Sequence, residues 1–506
     1  MRHLINTILV AKMAAIILFC LVAGLAEARS SETAVVKAFE AAKNSRPELI
    51  HFLQGFPKGA DLHNHLDGTV LSEDALNSAR ENGLNYDLNT NAFTSAELGE
   101  HVISLDAMVS NAVHFRAFRE AFSVRAWKQV SGSGRDQFFN VFERIFSSGI
   151  NEGEMLSNVI RRASLQNIQH LELIAPVVPG DVLTKFDAAL VDFDINDLNG
   201  AYAQIAQLIS EQDTQSSVRN LVDGWEKTAF TQADDQINHP SVRYIGYINR
   251  LIALRDFFVS AVTNLASVNA DDRVVSVTLV FPEDLPAAVA GFEDQMKILD
   301  FLWQKMGQPN ISLHAGELSL EDATFDVLND RIRKSIDIGR SRRIGHGTSI
   351  AWEDDAESLL IQMAEQGVLV ELCLTSNEVI LDTEGRDHPF DLYRKYNVPI
   401  SLNTDDDGIT RSPLTMEFVV ATERYDLAYS DLVELARNSL EYSFLNGISL
   451  FQDGDFQKPI SEFKRHDFGS GTLTEDQQAL VASNPKLRKQ VEFEQALSRF
   501  ETKFSG

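Results

Sequence analysis

The residues best suited to chemistry begin between Pro57 and Thr69, where His63 and His65 stand two apart. In an extended strand over Ala60 to His65, the period of two turns both imidazoles to one face and Asn64 to the other. Two imidazoles on one face are half of a zinc site. For an isolated His-x-His, two hydrogen-bonded histidines near a strand end are the structural alternative. Further polar groups close three apolar runs: Ser312 to Glu317 with His314, Arg343 to Gly347 with His346, and Ser401 to Asp407 with Asp405 and Asp406. Singly, His346 beside glycines reads as a turn residue and Asp405 to Asp407 as a solvated loop or helix cap. Together, His63, His65, His314 and Asp405 satisfy one zinc ion and leave room for water, whose pKa zinc brings near neutrality. Glu317, three residues past His314, is spaced to shuttle a proton, and His346 and Asp406 can orient the attacking oxygen and stabilise charge developing on it. The chemistry is hydrolysis at an electrophilic carbon.

These groups need a frame that brings strand ends together. Eight runs read as strands: Ala60 to His65, Ile168 to Val178, Val242 to Arg250, Val274 to Phe281, Ile311 to Ala315, Arg343 to His346, Val368 to Leu374 and Pro399 to Thr404. Amphipathic helical segments such as Leu320 to Ile338 and Glu353 to Gln366 separate the later ones. Eight strands alternating with helices predict a parallel (β/α)8 TIM barrel, whose active site lies at the carboxyl ends of the strands. The intervals Leu71 to Asn167 and Asp181 to Pro240 exceed single crossovers and predict helical insertions. Phe115, Phe118 and Phe122 at helical spacing read as core rather than as a cap on the barrel mouth. Leu414 to Leu445 predicts a closing helical segment, and Gly447 to Gly506 carries no clear pattern.

The amino terminus differs from the rest. Arg2 and Lys12 precede an apolar run from Met13 to Leu25, and Ala26-Glu27-Ala28 forms a small-x-small cleavage site. This predicts a signal peptide over residues 1–28 cleaved after Ala28, a helical extension over 29–56 and a barrel over 57–506, with a secreted or periplasmic location and no stable membrane insertion after cleavage. The formal charge is −28, which disfavours nucleic acid and anionic membranes as partners. After cleavage Cys373 is the one cysteine, so no internal disulfide forms. Cys373 reads as a buried small apolar residue.

The motifs resemble those of the adenosine deaminase family, in its secreted growth-factor-related or bacterial exported branch. His63 to Gly68 match its His-x-His-Leu-Asp-Gly motif, His314 to Glu317 its His-Ala-Gly-Glu, Arg343 to Gly347 its Arg-Ile-Gly-His-Gly, and Asn403 to Asp406 its Asn-Thr-Asp-Asp, in the family's order. Asp431-Leu432, Arg437 to Ser439 and Ser443 to Leu445 also resemble its closing helices. The resemblance implies one Zn2+ per chain on His63, His65, His314 and Asp405. It implies that Glu317 protonates N1 of a purine, that His346 and Asp406 assist attack at C6, that Asp67 holds a ribose 5′-hydroxyl, and that Gly316 lies against the substrate. The implied reaction is hydrolytic deamination of adenosine and 2′-deoxyadenosine to their inosine forms with release of ammonia, in extracytoplasmic purine metabolism.

Two departures stand out. The family's fourth strand carries an Asp-Leu-x-Gly-x-Glu type segment, and here the run is Thr278-Leu279-Val280-Phe281-Pro282-Glu283. The Phe-Pro pair changes the pocket floor and removes one backbone donor, which leaves the identity of the base or nucleoside open. Leu374 stands where the family usually has proline. Neither departure is expected to touch the metal machinery. Deamination of another aminopurine, such as adenine or a modified adenosine, is the enzymatic alternative, and a non-catalytic purine-binding or signalling protein is the alternative from another class. A two-metal amidohydrolase is disfavoured because Val274 to Glu283 contains no lysine, and an AMP-type enzyme because Asp67 suits a neutral hydroxyl. A nucleic-acid base deaminase is disfavoured by charge and by the lack of a Pro-Cys-x-x-Cys signature. Oligomeric state is left open.

Overall fold

In the computed structural model, residues 33–130, 132–232 and 239–505 are described. The expected signal peptide lies outside them. Among the described residues no helix is long and apolar enough to cross a membrane.

Eight parallel strands form the frame: β1 (Ala60–His65), β2 (His170–Ala175), β3 (Ser241–Asn249), β4 (Val274–Val280), β5 (Ser312–Ala315), β6 (Arg343–His346), β7 (Leu369–Leu372) and β8 (Ile400–Leu402). They pair in chain order within two four-stranded sheets, β1 to β4 and β5 to β8. Single parallel bridges, Val277 to Ile311 and Asn64 to Asp405, join the sheets at both seams. The second seam is reinforced by the Asp405 N–H donating to the His63 carbonyl at 2.9 Å and the His65 N–H donating to the Asp405 carbonyl at 2.7 Å. The expected barrel is therefore present, with each predicted strand found to within a few residues.

β2 and β4 are buried along their whole lengths, as parallel strands between a barrel interior and a helical shell must be. Alternation separates their two faces. Leu171 and Leu173 join the outer apolar core, while Ile174 packs inward with Ile245, Val275, Val280 and Phe444. Glu172 shares the inward parity of Ile174 and meets Arg343 of β6 at 2.8 Å. The Arg343 guanidinium lies 3.8 Å above the Phe444 ring centroid. The interior is thus partly polar, and its charges are paired, as a low-dielectric setting requires.

The predicted helix over Leu320 to Ile338 is broken into Phe325–Leu328 and Arg331–Asp337. Its second piece starts where the Glu353 carboxylate, from the loop after β6, accepts the Ile332 N–H at 2.5 Å. A side chain distant in sequence supplies the cap. The predicted Leu414 to Leu445 segment is likewise two helices, Leu414–Tyr425 and Tyr429–Glu441, parted at Asp426 with φ 44°.

The first long interval contains helices and also a small antiparallel sheet of Asn85–Asp87, Ala92–Thr94 and Val102–Ile103. Phe118 and Phe122 pack beneath it against Phe93, with centroids 5.8 and 5.1 Å away. The phenylalanine stripe is core, as expected. Helix Gly134–Phe146 of this insertion reaches the barrel mouth, where Arg135 pairs with Asp284 at 2.5 Å and Asp322 at 3.0 Å, in the loops after β4 and β5. The amino-terminal extension is helical over 33–42 and Arg46–Gly55. It packs through Phe52 and Phe56 on Phe500 of the final helix, Pro485–Thr502.

Candidate metal and catalytic centre

At the carboxyl end of the barrel His63 and His65 do share one face of β1, and His314 of β5 meets both. His314 Nε2 lies 3.0 Å from His63 Nε2 and 3.1 Å from His65 Nε2. Asp405 Oδ1 lies 3.4 Å from each of the latter nitrogens. Asn64 turns the other way and donates to Asp61 at 3.0 Å. Asp405 reaches inward because its backbone holds φ 58°, a conformation that aspartate tolerates better than most side chains.

The surroundings decide whether this cluster fits a cation. His63 Nδ1 is 2.7 Å from Glu371 Oε2, so Nδ1 carries a hydrogen and Nε2 faces His314 and Asp405. His314 Nδ1 is 2.9 Å from Thr278 Oγ1, and with the Thr278 hydroxyl donating to the Leu279 carbonyl at 3.4 Å, Nδ1–H donates to Thr278 and Nε2 is left with a lone pair. Nitrogens 3.0 Å apart beside a carboxylate need a positive charge between them, which a shared proton or a metal ion supplies. The donor set of three imidazoles and one carboxylate is one that zinc favours. Asp405 Oδ2 is held by the Ser376 hydroxyl at 2.6 Å. Glu371 also accepts from Ser312 Oγ at 2.9 Å and pairs with Arg343 Nε at 2.6 Å. The residues fit a metal, and a buried network orients them.

Three polar atoms around the cluster are buried without a hydrogen-bond partner, Glu317 Oε1, His346 Nε2 and Asp406 Oδ1, though Glu317 Oε1 lies 3.6 Å from His346 Nδ1. Groups left unpaired in this way are open to a ligand. The tautomer of His346 follows from its neighbours. The Phe390 N–H donates to His388 Nδ1, so His388 Nε2–H donates to Asn377 Oδ1 at 3.2 Å, and Asn377 Nδ2 donates to His346 Nδ1 at 2.9 Å. His346 Nε2 therefore carries its hydrogen, and burial lowers the ring's pKa to about 3 and keeps it neutral. Burial and the nearby Asp405 and Glu283 hold the Glu317 carboxyl well above the usual carboxylate range, which favours its protonated form. Burial and Asp405 do the same to Asp406.

Asp67 lies with His65 and Asp406 in one group of potential ligand atoms, and burial pushes its carboxyl up to about 6. Gly68 is required beside it, since a Cβ there would sit 1.6 Å from Asp406 Oδ1. Gly316 holds φ 70°, and its carbonyl accepts from Thr348 Oγ1 at 2.6 Å, fixing the loop after His314. Cys373 is buried, and its thiol lies within ligand reach of His63, His346 and Asp405.

The β4 segment supports the site through residues flanking the Phe-Pro pair: Thr278 Oγ1 lies 2.9 Å from His314 Nδ1, and Glu283 accepts the Glu317 N–H at 2.9 Å. Phe281 adopts φ 78° and is 50% exposed as a residue, so the backbone keeps a glycine-like turn with an aromatic residue in it. Residues that sequence reasoning passed over are Glu371, Ser312, Ser376 and Asn377. A lone glutamate inside the apolar run Val368 to Leu374 was the available signal for the first, and the others carried none.

Parts of the chain are similar to known proteins. Residues 210–448 match a family model described as adenosine deaminase. An aminodeoxyfutalosine deaminase of Streptomyces avermitilis is 34% identical over 134 residues, 26% of this chain and 34% of that protein. An adenosine deaminase of Clostridium perfringens is 30% identical over 175 residues, 34% of this chain and 47% of that protein. The chain thus spans between a third and a half of the length of these curated relatives. An adenine deaminase structure from Arthrobacter aurescens, 15% identical, covers 86% of this chain and 98% of its own with a TM-score of 0.51, a likeness of fold. The matched residues carry His314, Glu317, His346, Asp405 and Asp406, while His63 and His65 lie outside them and join them in space.

Proposed function

We propose that this protein is a zinc-dependent aminohydrolase, with one Zn2+ per chain, that converts adenosine and 2′-deoxyadenosine to their inosine forms and releases ammonia. The observation that carries the reading is the convergence of four ligand atoms with the unpartnered Glu317 Oε1, His346 Nε2 and Asp406 Oδ1. Zinc, when bound to His63, His65, His314 and Asp405, supplies Lewis acidity toward water. Glu317 begins protonated and gives its proton to ring nitrogen N1, which makes C6 electrophilic. His346 Nε2–H and Asp406 face the incoming oxygen and hold it in line with C6. Asp67 receives the ribose 5′-hydroxyl, and Gly316 lies against the base. The predicted signal peptide supports an exported protein acting in extracytoplasmic purine metabolism.

A second reading, another aminopurine as substrate, is favoured by Phe281, whose ring stands at the mouth beyond β4. Ultraviolet absorbance of adenosine incubated with the purified chain, with and without a zinc chelator, tests the first reading. Chelator-sensitive formation of inosine is expected. A folded, zinc-loaded sample that leaves adenosine unchanged overturns it, and conversion of adenine, N6-modified adenosine or aminodeoxyfutalosine in the same assay supports the second.

A further inference from the structure

At the amino end of the barrel, opposite the metal centre, a cavity of about 240 Å³ lies between β3 and the final helix. Its lining is Ser241 and Arg243 of β3, Leu445 after the closing helix, and Pro485, Arg488, Lys489 and Glu492 of the helix Pro485–Thr502. The volume is far above the roughly 15 Å³ that one water needs. Three of the seven residues are cationic, in a chain with 73 acidic against 45 basic residues.

The charges around this cavity do not close. Lys489 pairs with Glu492 at 2.7 Å, which accounts for the cavity's one acid. Neither Arg243 nor Arg488 makes an ion pair with a described residue. The acids nearest in electrostatic terms to Arg243 are Glu172, Glu226 and Asp271, and each is already committed: Glu172 to Arg343 at 2.8 Å, and Glu226 and Asp271 to Arg273 at 2.7 and 2.6 Å. Arg243 is half-buried and spends one N–H on the Val242 carbonyl at 2.7 Å. Burial and repulsion from Arg488 are among the influences on its guanidinium, and its pKa falls below the usual range. The final helix adds to the imbalance. Its first turn has no acidic residue, its N-cap Asn484 makes no side-chain cap, and Lys486, Arg488 and Lys489 crowd its positive dipole end. Cations at that end are unfavourable unless an anion sits with them. Lys486 turns away and donates to the Glu441 carbonyl at 2.7 Å, leaving Arg488 and Lys489 to face the cavity.

We propose that this cavity binds a compact, multiply charged oxyanion, a phosphate or phosphate monoester, clasped between Arg243 of the barrel and Arg488 of the final helix, with Lys489 and the Ser241 hydroxyl alongside. Guanidinium forks suit the tetrahedral oxygens of phosphate. The bound anion bridges a barrel strand and the carboxyl-terminal helix, so it pins the tail to the barrel. The site is remote from the metal centre and needs no assumption about the reaction.

The test uses the full folded chain and inorganic phosphate, titrated calorimetrically and by thermal unfolding against chloride at matched ionic strength. Saturable binding and a phosphate-dependent rise in Tm are expected, with affinity reduced at least tenfold in Arg488→Gln and in Arg243→Gln. The exposed Arg488 keeps the test valid if the half-buried Arg243 variant fails to fold. Phosphatidylcholine vesicles containing phosphatidic acid form a second arm. Capture by these vesicles that is lost in Arg488→Gln, without binding of the free ion, assigns the same site to a lipid phosphate monoester. Phosphate binding that is unchanged in both variants, or matched by chloride, overturns the proposal. Deaminase activity is not a readout here, so failure of this site leaves the reading of the metal centre untouched.

Discussion

Replacing Glu371 by glutamine probes how His63 is made into a ligand. The Glu371 carboxylate meets no acceptor: His63 Nδ1 donates to one oxygen at 2.7 Å, and the other accepts from Ser312 Oγ at 2.9 Å and is ion-paired with Arg343 Nε at 2.6 Å. A glutamine presents one oxygen and one N–H2, so one of those two faces must become donor against donor. If the amide nitrogen faces His63, the imidazole escapes the clash by moving its hydrogen to Nε2, where the metal would bind. If it faces Arg343, the guanidinium keeps Glu172 as its remaining partner at 2.8 Å. Loss of a buried charge-assisted hydrogen bond costs about 1.5–3 kcal/mol. Changes behind a metal ligand typically weaken metal binding by about 10–100-fold. The expected outcome for Glu371→Gln is therefore a zinc dissociation constant about 10–100-fold higher by chelator competition, with apoprotein stability lower by about 2 kcal/mol in denaturant titration. Zinc affinity within twofold of the parent would refute the argument that Glu371 sets the His63 tautomer, whatever happened to stability.

Two further substitutions separate other claims. Glu317→Gln removes the transferable proton without touching a ligand atom, so zinc content should stay at one per chain while turnover falls by about 10²–10⁴-fold; loss of zinc in this variant would mean that Glu317 is itself a ligand. Phe281→Gly should relieve the backbone at φ 78°, where an L-residue costs about 1–2 kcal/mol. With the residue half exposed, little burial is lost. The net gain should be up to about 1 kcal/mol in the denaturant midpoint, and a clear loss of stability would show that the ring is held by contacts that outweigh the strain.

The chain's local patterns carry much of this protein. The His63–His65 spacing, the apolar runs of the eight strands and the polar groups at their ends follow from short-range rules: period two along a strand, helices between parallel strands, ligands at strand termini. Those rules locate His63, His65, His314, Glu317, His346, Asp405 and Asp406 because each sits within a few residues of a strand end. They miss what depends on residues distant in sequence. The break after Leu328 is made by Glu353, 21 residues beyond the Ile332 N–H it caps. The small antiparallel sheet has strands of three residues or fewer, too short to show a period. Whether Thr278, Ser376 or Glu371 is an ordinary strand or helix residue or the support of a ligand depends on which atom of another strand it meets. Only closure of the barrel brings Glu371 to His63, 308 positions away, since hydrogen-bond partners are chosen by distance in space and sequence patterns report the order along one element.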